Sequence, residues 1–176
     1  MEQIVVVTAV GQDRPGIVAA LARALFELGG NLDDATMTRL HNVFTTMVSA
    51  KLPQGRTADD VRAALAPIAD RMELIIAVEP VQVSSERPQV PPPDHLVTVY
   101  GADKPGIVYQ ITSHLAARGI NITDMDTRRA GTDEAPLYVM LLEVTAGESD
   151  LSSDLASLRA ELGVDISVQS LDMEAL

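Results

Sequence analysis

What this 176-residue sequence lacks excludes several kinds of chemistry. It has no cysteine, which excludes disulfides, thiolate nucleophiles and cysteine-based metal sites. It has no tryptophan and only 3% aromatic residues, too few for a surface that stacks nucleic-acid bases. No apolar run approaches the length of a membrane-spanning helix, and the start has no basic, apolar signal pattern. A cytoplasmic protein with an aliphatic core is therefore expected.

Positive charge is also scarce. The 13 Lys and Arg face 25 Asp and Glu, so the formal net charge is -12, and the densest basic cluster is Arg128-Arg129. Such a surface repels phosphate backbones, so direct nucleic-acid binding is not expected. The three histidines fall in unrelated contexts, and no nucleophile with its base is visible. We therefore expect no catalytic residue, no metal site and no cofactor.

The chain contains an internal repeat, in which one sequence unit occurs twice at an offset of 90 residues. Gly11-Gln-Asp-Arg-Pro-Gly-Ile-Val18 matches Gly101-Ala-Asp-Lys-Pro-Gly-Ile-Val108. Residues 6–40 and 96–130 are identical at 13 of 35 aligned positions, which indicates a duplication. Four prolines lie within residues 88–93, where they favour an extended, semi-rigid spacer. The predicted organisation is a first domain at 1–83, a Pro-rich linker at 84–94 and a second domain at 95–176.

Each copy has the pattern of a β-α-β-β-α-β unit. Strands are predicted at 4–10, 43–52 and 74–83 in the first copy and at 96–100, 137–145 and 164–173 in the second, with further strands starting at Asn31 and Asn121. Apolar residues at helical spacing predict a helix after Pro15 and Pro105, and a second one after each third strand. The fold class is therefore α+β, two tandem ferredoxin-like βαββαβ domains with antiparallel sheets.

Several local features are predicted with it. Pro15 and Pro105 suit the first helical position, and Gly29 and Gly119 suit the left-handed ends of those helices. A slip in the apolar phase after Asn31 and Asn121 suggests a β-bulge. Thr57 resembles the start of a capping box, Ser152 and Ser153 suit a helix cap, and the methionines are expected to fill the core. A helix-free sheet face in each copy predicts pairing of domains, hence a homo-oligomer.

The motif Asp-x-Pro-Gly-Ile-Val after a first strand, with Gly-x-Asn opening the second, resembles the ACT domain. Two copies and little else resemble the glycine cleavage system transcriptional repressor family. The resemblance implies a ligand site between the first loop of one ACT domain and a neighbouring ACT domain. The implied ligand-binding residues are Asp13, Arg14, Pro15, Gly16 and Asn31 in the first copy and Asp103, Lys104, Pro105, Gly106 and Asn121 in the second.

The chemistry of those residues suits an amino acid. Unpaired amides at a helix start can hold a carboxylate, and Asp13 or Asp103 can hold an ammonium group. Serine-binding ACT domains carry His-x-Asn where this chain has Gly-x-Asp, so a smaller ligand such as glycine is favoured. In the alternative reading, the aspartates only cap the helices, Asn31 and Asn121 are turn residues, and acidic residues on the second strands are solvated edges.

The sequence is compatible with three functions. The first is an amino-acid-sensing regulator that represses glycine cleavage genes through a transcription factor or other protein partner. The second is an ACT docking or dimerisation module without a small ligand. The third is an enzyme, for which the sequence shows no catalytic set, although the fold alone does not exclude one.

Overall fold

The computed structural model describes residues 3–81, 91–132, 136–147 and 149–171. The chain divides into two compact units, Met1–Pro88 and Gln89–Leu176. Each unit is a four-stranded antiparallel sheet with two helices, as the sequence predicts. The two are called domain 1 and domain 2 below.

Domain 1 has the predicted order of elements. They are β1 (Gln3–Gln12), α1 (Ile17–Glu27), β2 (Asn31–Leu40), β3 (Val43–Leu52), α2 (Ala58–Met72) and β4 (Ile75–Val81). Domain 2 repeats this order with β5 (His95–Ala102), α3 (Ile107–Ala116), β6 (Asn121–Gly131), β7 (Pro136–Thr145), α4 (Leu151–Leu162) and β8 (Val164–Ser170). The last residues of the predicted final strands, 82–83 and 172–173, lie outside the described residues.

The strand order is β2-β3-β1-β4 in domain 1 and β6-β7-β5-β8 in domain 2. In domain 1, β3 and β1 are the central strands and β2 and β4 are the edge strands. β1 and β2 run in the same direction, with the antiparallel β3 between them. The predicted bulge is confirmed in both copies, because the register shifts between Leu32 and Asp34 and between Ile122 and Asp124. The bulge is thus part of the duplicated design.

Each core lies between one face of the sheet and the two helices. The helical stripes predicted from spacing are buried, for example Leu21 and Leu25 in α1 and Ile111 and Leu115 in α3. The prediction that methionines fill the core is correct for Met140 but wrong for three others. Met37, Met47 and Met125 are exposed: Met47 lies on the helix-free face of its sheet, whereas Met37 and Met125 lie on edge strands, opposite the buried Thr46 and Leu142.

Helix caps differ in one case from the prediction. Thr57 and Asp60 form the predicted capping box at the start of α2. At α4 the capping residue is Asp150, whose carboxylate accepts from the Ser153 amide. The prediction that Ser152 and Ser153 cap this helix is therefore wrong, because the Asp150 carboxylate, two positions before Ser152, takes that role.

Part of the predicted linker is attached to domain 2. The Asp94 carboxylate accepts hydrogen bonds from the amides of Ala146 and Gly147 at 2.8 and 2.7 Å, and the Leu171 amide donates to the Asp94 carbonyl at 2.8 Å. Residues 84–90 of the linker lie outside the described residues. Among the described residues, no helix is both long and apolar enough to cross a membrane.

Candidate functional site

The duplicated loop after the first strand forms a corner that leads into the first helix. We call residues 13–16 and 103–106 the β–α corners. The helix-capping position is Gly16 in domain 1 and Gly106 in domain 2, each with φ of 94°. Only glycine takes this conformation without steric cost. Pro15 and Pro105 therefore precede the cap, and the prediction that they occupy the first helical position is wrong.

No side chain caps either helix start. Asp13 and Asp103 do not cap the helices, contrary to the structural alternative weighed from the sequence. The first amides of a helix have no partner within the helix, so they remain available to a ligand oxygen. A Cβ placed on Gly16 would meet nothing within 4 Å, and one on Gly106 would meet only Gln110, at 3.8 Å. Within its own domain each corner therefore has open space beside these amides.

The two loop aspartates form the same ion pair in both domains. Asp13 pairs with Arg39 at the end of β2, with an N–O distance of 3.3 Å, and Asp103 pairs with Arg129 on β6 at 3.1 Å. The backbone amide of Asp13 also donates to the Asn42 carbonyl at 2.9 Å, and that of Asp103 donates to Pro136 at 3.2 Å. Each aspartate is thereby held against the end of the neighbouring hairpin.

The basic residue next to each aspartate is tied to the end of the second helix. Arg14 pairs with Glu73 at 2.9 Å, whereas Lys104 donates to the Leu162 carbonyl at 3.2 Å. Glu73 and Gly163 are equivalent residues that end α2 and α4, and both are left-handed, with φ of 52° and 63°. The two copies thus restrain the corner differently, through a carboxylate in domain 1 and through a carbonyl in domain 2.

The Glu73 position gives a test of this restraint. A left-handed conformation costs a non-glycine residue about 1 kcal/mol, and an exposed ion pair contributes about 1 kcal/mol or less. Glu73→Gly should therefore leave the unfolding free energy of domain 1 unchanged or slightly higher. Glu73→Ala, which loses the pair and keeps the strain, should lower it by about 1 kcal/mol. Hydrogen exchange of the domain 1 amides measures both; equal effects of Gly and Ala would contradict the account.

The structure separates the corner from the predicted asparagines. Asn31 opens β2 opposite Lys51, which pairs with Ile4 near the start of β1, whereas Asp13 follows the end of β1. Because β1 has ten residues, the two positions lie about 30 Å apart along the sheet. Asn121 and Asp103 are separated in the same way. One small ligand can touch both residue types only if they come from different ACT domains.

Gly11 and Gly101 have a packing role that the sequence did not reveal. A Cβ on Gly11 would lie 2.5 Å from Leu74 Cδ2, and one on Gly101 would lie 2.8 Å from Val164 Cγ1. Both glycines allow the first strand to approach the start of the last strand. Their presence is therefore explained without the size of a ligand, and the departure from His-x-Asn by itself does not select glycine.

Two of the four acidic residues on the second strands each pair with a basic residue. Asp33 pairs with Lys51 at 2.9 Å and Asp126 pairs with Arg128 at 3.0 Å. No group of three or more His, Asp or Glu in the described part of the chain is arranged to hold a metal ion.

A separate groove lies between α1 and α2 in domain 1, with a volume of about 650 Å³. Alanines line much of it, with Arg23 and Arg71 among its other residues. In domain 2, the equivalent place is spanned by an ion pair at 3.2 Å between Arg118, just after α3, and Asp154 of α4.

Sequence reasoning missed the roles of Arg39, Arg129 and Glu73. The two arginines occupy equivalent positions in the repeat, and that identity was the available signal. Their contact with the corner depends on β2 ending beside the end of β1, which requires the strand order. Glu73 gave no signal, because its equivalent is glycine.

Comparison with known proteins defines the class. A family model described as "ACT domain" matches residues 3–79 and 94–169. The chain therefore belongs to the ACT domain family and carries two such domains in tandem.

Individual relatives show which ACT-domain proteins this chain resembles. The chain is 26% identical to the glycine cleavage system transcriptional repressor of Escherichia coli K12 over 159 residues, which are 89% of this chain and 80% of the repressor. It is 40% identical to a UPF0237 protein of Methanopyrus kandleri over 83 residues, or 44% of this chain and 88% of that protein. The crystal structure of an "unknown protein" from Galdieria sulphuraria superimposes with a TM-score of 0.82 at 25% identity, covering 98% of this chain and 100% of that one. The chain is thus a tandem ACT-domain protein related at low identity to the glycine cleavage system transcriptional repressor.

Proposed function

We propose that this chain is an amino-acid-sensing regulator that represses glycine cleavage genes through a protein partner. A small amino acid binds at a β–α corner, with glycine favoured by the name of the Escherichia coli relative and not by the loop sequence, and the bound state is passed to a transcription factor or other protein partner. The observation that carries the proposal is that the same corner, with a glycine cap, uncapped helix amides and an ion-paired aspartate, is built twice. The regulated process is suggested by the name of the Escherichia coli relative.

The corner offers groups for both ends of an amino acid. The helix amides can donate to a carboxylate, and Asp13 or Asp103 can accept from an ammonium group. Asn31 or Asn121 would contribute from another ACT domain, because neither lies beside the corner of its own domain. A complete site therefore calls for two ACT domains to meet, which agrees with the proposed homo-oligomer and with exposed apolar residues such as Met47 and Ile75 on a sheet.

The negative net charge of the chain supports the proposal that it acts through a protein partner. With a net charge of -12, the chain is repelled by nucleic acid, and the scattered basic residues form no stripe that follows a phosphate backbone. The proposed repressor therefore binds no DNA alone and works in the cytoplasm with a transcription factor that does.

A thermal-shift screen of the full chain with the twenty amino acids tests the sensing role. A ligand at ten times its Kd adds about 1.4 kcal/mol to the unfolding free energy, which raises the melting temperature by several degrees in domains of this size. We expect glycine to give the largest shift, and we expect Asp13→Ala with Asp103→Ala to remove it. The matched control is Asp126→Ala, an ion-paired carboxylate away from the corner. No shift with any amino acid at millimolar concentration would overturn the proposal.

A second candidate function is a docking module without a small ligand. The observation that favours it is the open α1–α2 groove of domain 1, whose equivalent in domain 2 is bridged. Small side chains let a partner helix approach closely, and Arg71 would favour an acidic one, since Arg23 already pairs with Glu27 in the same groove. This candidate predicts a flat amino-acid screen. In a reporter strain for glycine cleavage genes, Ala64→Arg would abolish repression, and the double Asp13 and Asp103 substitution would leave it intact.

A further inference from the structure

The arginines that pair with the loop aspartates stand out when the two copies are compared. Positive charge is kept in both copies at only two aligned positions, Arg39 with Arg129 and Arg14 with Lys104. Arg14 and Lys104 belong to the β–α corners. Arg39 and Arg129 contact the corners through Asp13 and Asp103. Among the described residues, the aspartate–arginine pair is also the one ion pair that recurs in both domains.

Stability gives little reason to keep this pair. Arg39 and Arg129 are 65% and 67% exposed, and Asp13 and Asp103 are 37% and 33% exposed. Ion pairs at such exposure contribute little to the free energy of unfolding, because water solvates the separated charges well. The same small contribution means that a ligand can open the pair at little cost.

The pair also has the polarity of a zwitterion. Asp13 supplies an acceptor for an ammonium group, and the Arg39 guanidinium supplies planar donors that match a carboxylate in a two-pronged contact. Because the Asp13 amide is fixed to the Asn42 carbonyl, the carboxylate stays beside the end of β2. The two charges are therefore already positioned at a short separation, at the loop that leads to Gly16.

We propose that Arg39 and Arg129 bind the carboxylate of the ligand while Asp13 and Asp103 hold its ammonium group, so that the ligand replaces an ion pair that the chain makes with itself. This inference rests on the proposed sensing function. It defines the ligand class as compact α-amino acids that carry both charges. A molecule with one charge would leave either the arginine or the aspartate without its partner and would bind weakly.

The test measures glycine and glycinamide binding to the full chain by calorimetry. Glycinamide keeps the ammonium group and lacks the carboxylate. The wild-type chain should prefer glycine, and Arg39→Met with Arg129→Met should weaken glycine binding at least tenfold and remove most of that preference. Arg39→Lys with Arg129→Lys should restore part of the preference, since lysine keeps the charge without the planar fork. The matched control is Arg128→Met, which removes a neighbouring arginine that pairs with Asp126 and should change nothing.

The glycine-to-glycinamide ratio separates a ligand contact from a structural role, because a general loosening of the corner weakens both compounds together. If another amino acid gives the largest thermal shift, that amino acid and its amide are used in place of glycine and glycinamide. If no amino acid binds the wild-type chain, the sensing function fails and this inference fails with it. If binding is present and the ratio survives in the methionine variants, sensing stands and the role of the arginines is refuted.

Discussion

Gly101→Ala is expected to destabilise domain 2 by about 2 kcal/mol, and Gly11→Ala is expected to cost domain 1 about half as much. The added Cβ on Gly101 would lie 2.8 Å from Val164 Cγ1 and 3.1 Å from both Val164 Cα and Cβ. The backbone and a β-branched side chain cannot move away locally. The nearest atom to a Cβ on Gly11 is closer, at 2.5 Å, but it is the end of the Leu74 side chain, which can change rotamer.

Tyrosine fluorescence during urea unfolding measures this effect in domain 2 alone, because the chain has no tryptophan and its three tyrosines are Tyr100, Tyr109 and Tyr138. Hydrogen exchange of β1 and β4 amides reports domain 1. A double-mutant cycle with Val164→Ala should recover part of the cost, since it removes the 2.8 Å contact and leaves those at 3.1 Å. A larger loss for Gly11→Ala than for Gly101→Ala would show that the Leu74 side chain is less adaptable than its place at a strand end suggests.

The predictable part of the fold came from patterns repeated within the chain. The strands and helices, the two bulges and the Thr57 capping box follow from apolar spacing and local hydrogen-bonding chemistry. The errors at the helix starts were one or two positions along the chain. At α4, Asp150 caps in place of Ser152 and Ser153, and at α1, Gly16 takes the cap so that Pro15 lies outside the helix.

The site was less accessible to sequence reasoning, because its contacts join distant segments. Asp13 meets Arg39 and Arg14 meets Glu73 across 26 and 59 residues. The distance between Asp13 and Asn31, in contrast, could have been predicted. A helix that connects two strands running in the same direction must return the chain to the opposite end of the sheet, so the loop before α1 and the residue after it cannot be neighbours.

The exposure of the methionines is a further feature that the sequence did not predict. A pattern of apolar residues on both faces of a strand does not say which face the helices cover, so the sequence did not show that Met47 is exposed. Its exposure leaves apolar area on the helix-free face of the domain 1 sheet, which is where the proposed pairing of ACT domains would bury it.

Asp94→Ala is expected to lower the unfolding free energy of domain 2 by about 2 to 3 kcal/mol, equivalent to a fall of roughly 10 °C in melting temperature. The Asp94 carboxylate accepts from the Ala146 and Gly147 amides and from His95 Nδ1 at 2.7 Å. It thereby ties the start of β5 to the turn between β7 and α4, and alanine would leave both amides without their charged acceptor. Tyrosine fluorescence in urea measures the loss, and Asp94→Asn, which keeps an acceptor oxygen, should give an intermediate value.

The same carboxylate sets a pH dependence whose direction is fixed by its hydrogen bonds. Desolvation raises the pKa of Asp94, but the hydrogen bonds from the Ala146 amide, the His95 ring and the Gly147 amide together lower it below its ordinary 3.8. A group whose pKa is lower in the folded state stabilises the protein above its unfolded-state pKa and loses that contribution as pH falls through the folded-state value. The difference in unfolding free energy between wild type and Asp94→Ala should therefore shrink as the pH falls below about 4. A difference that persists undiminished well below pH 3 would mean that Asp94 acts through packing and not through its charge.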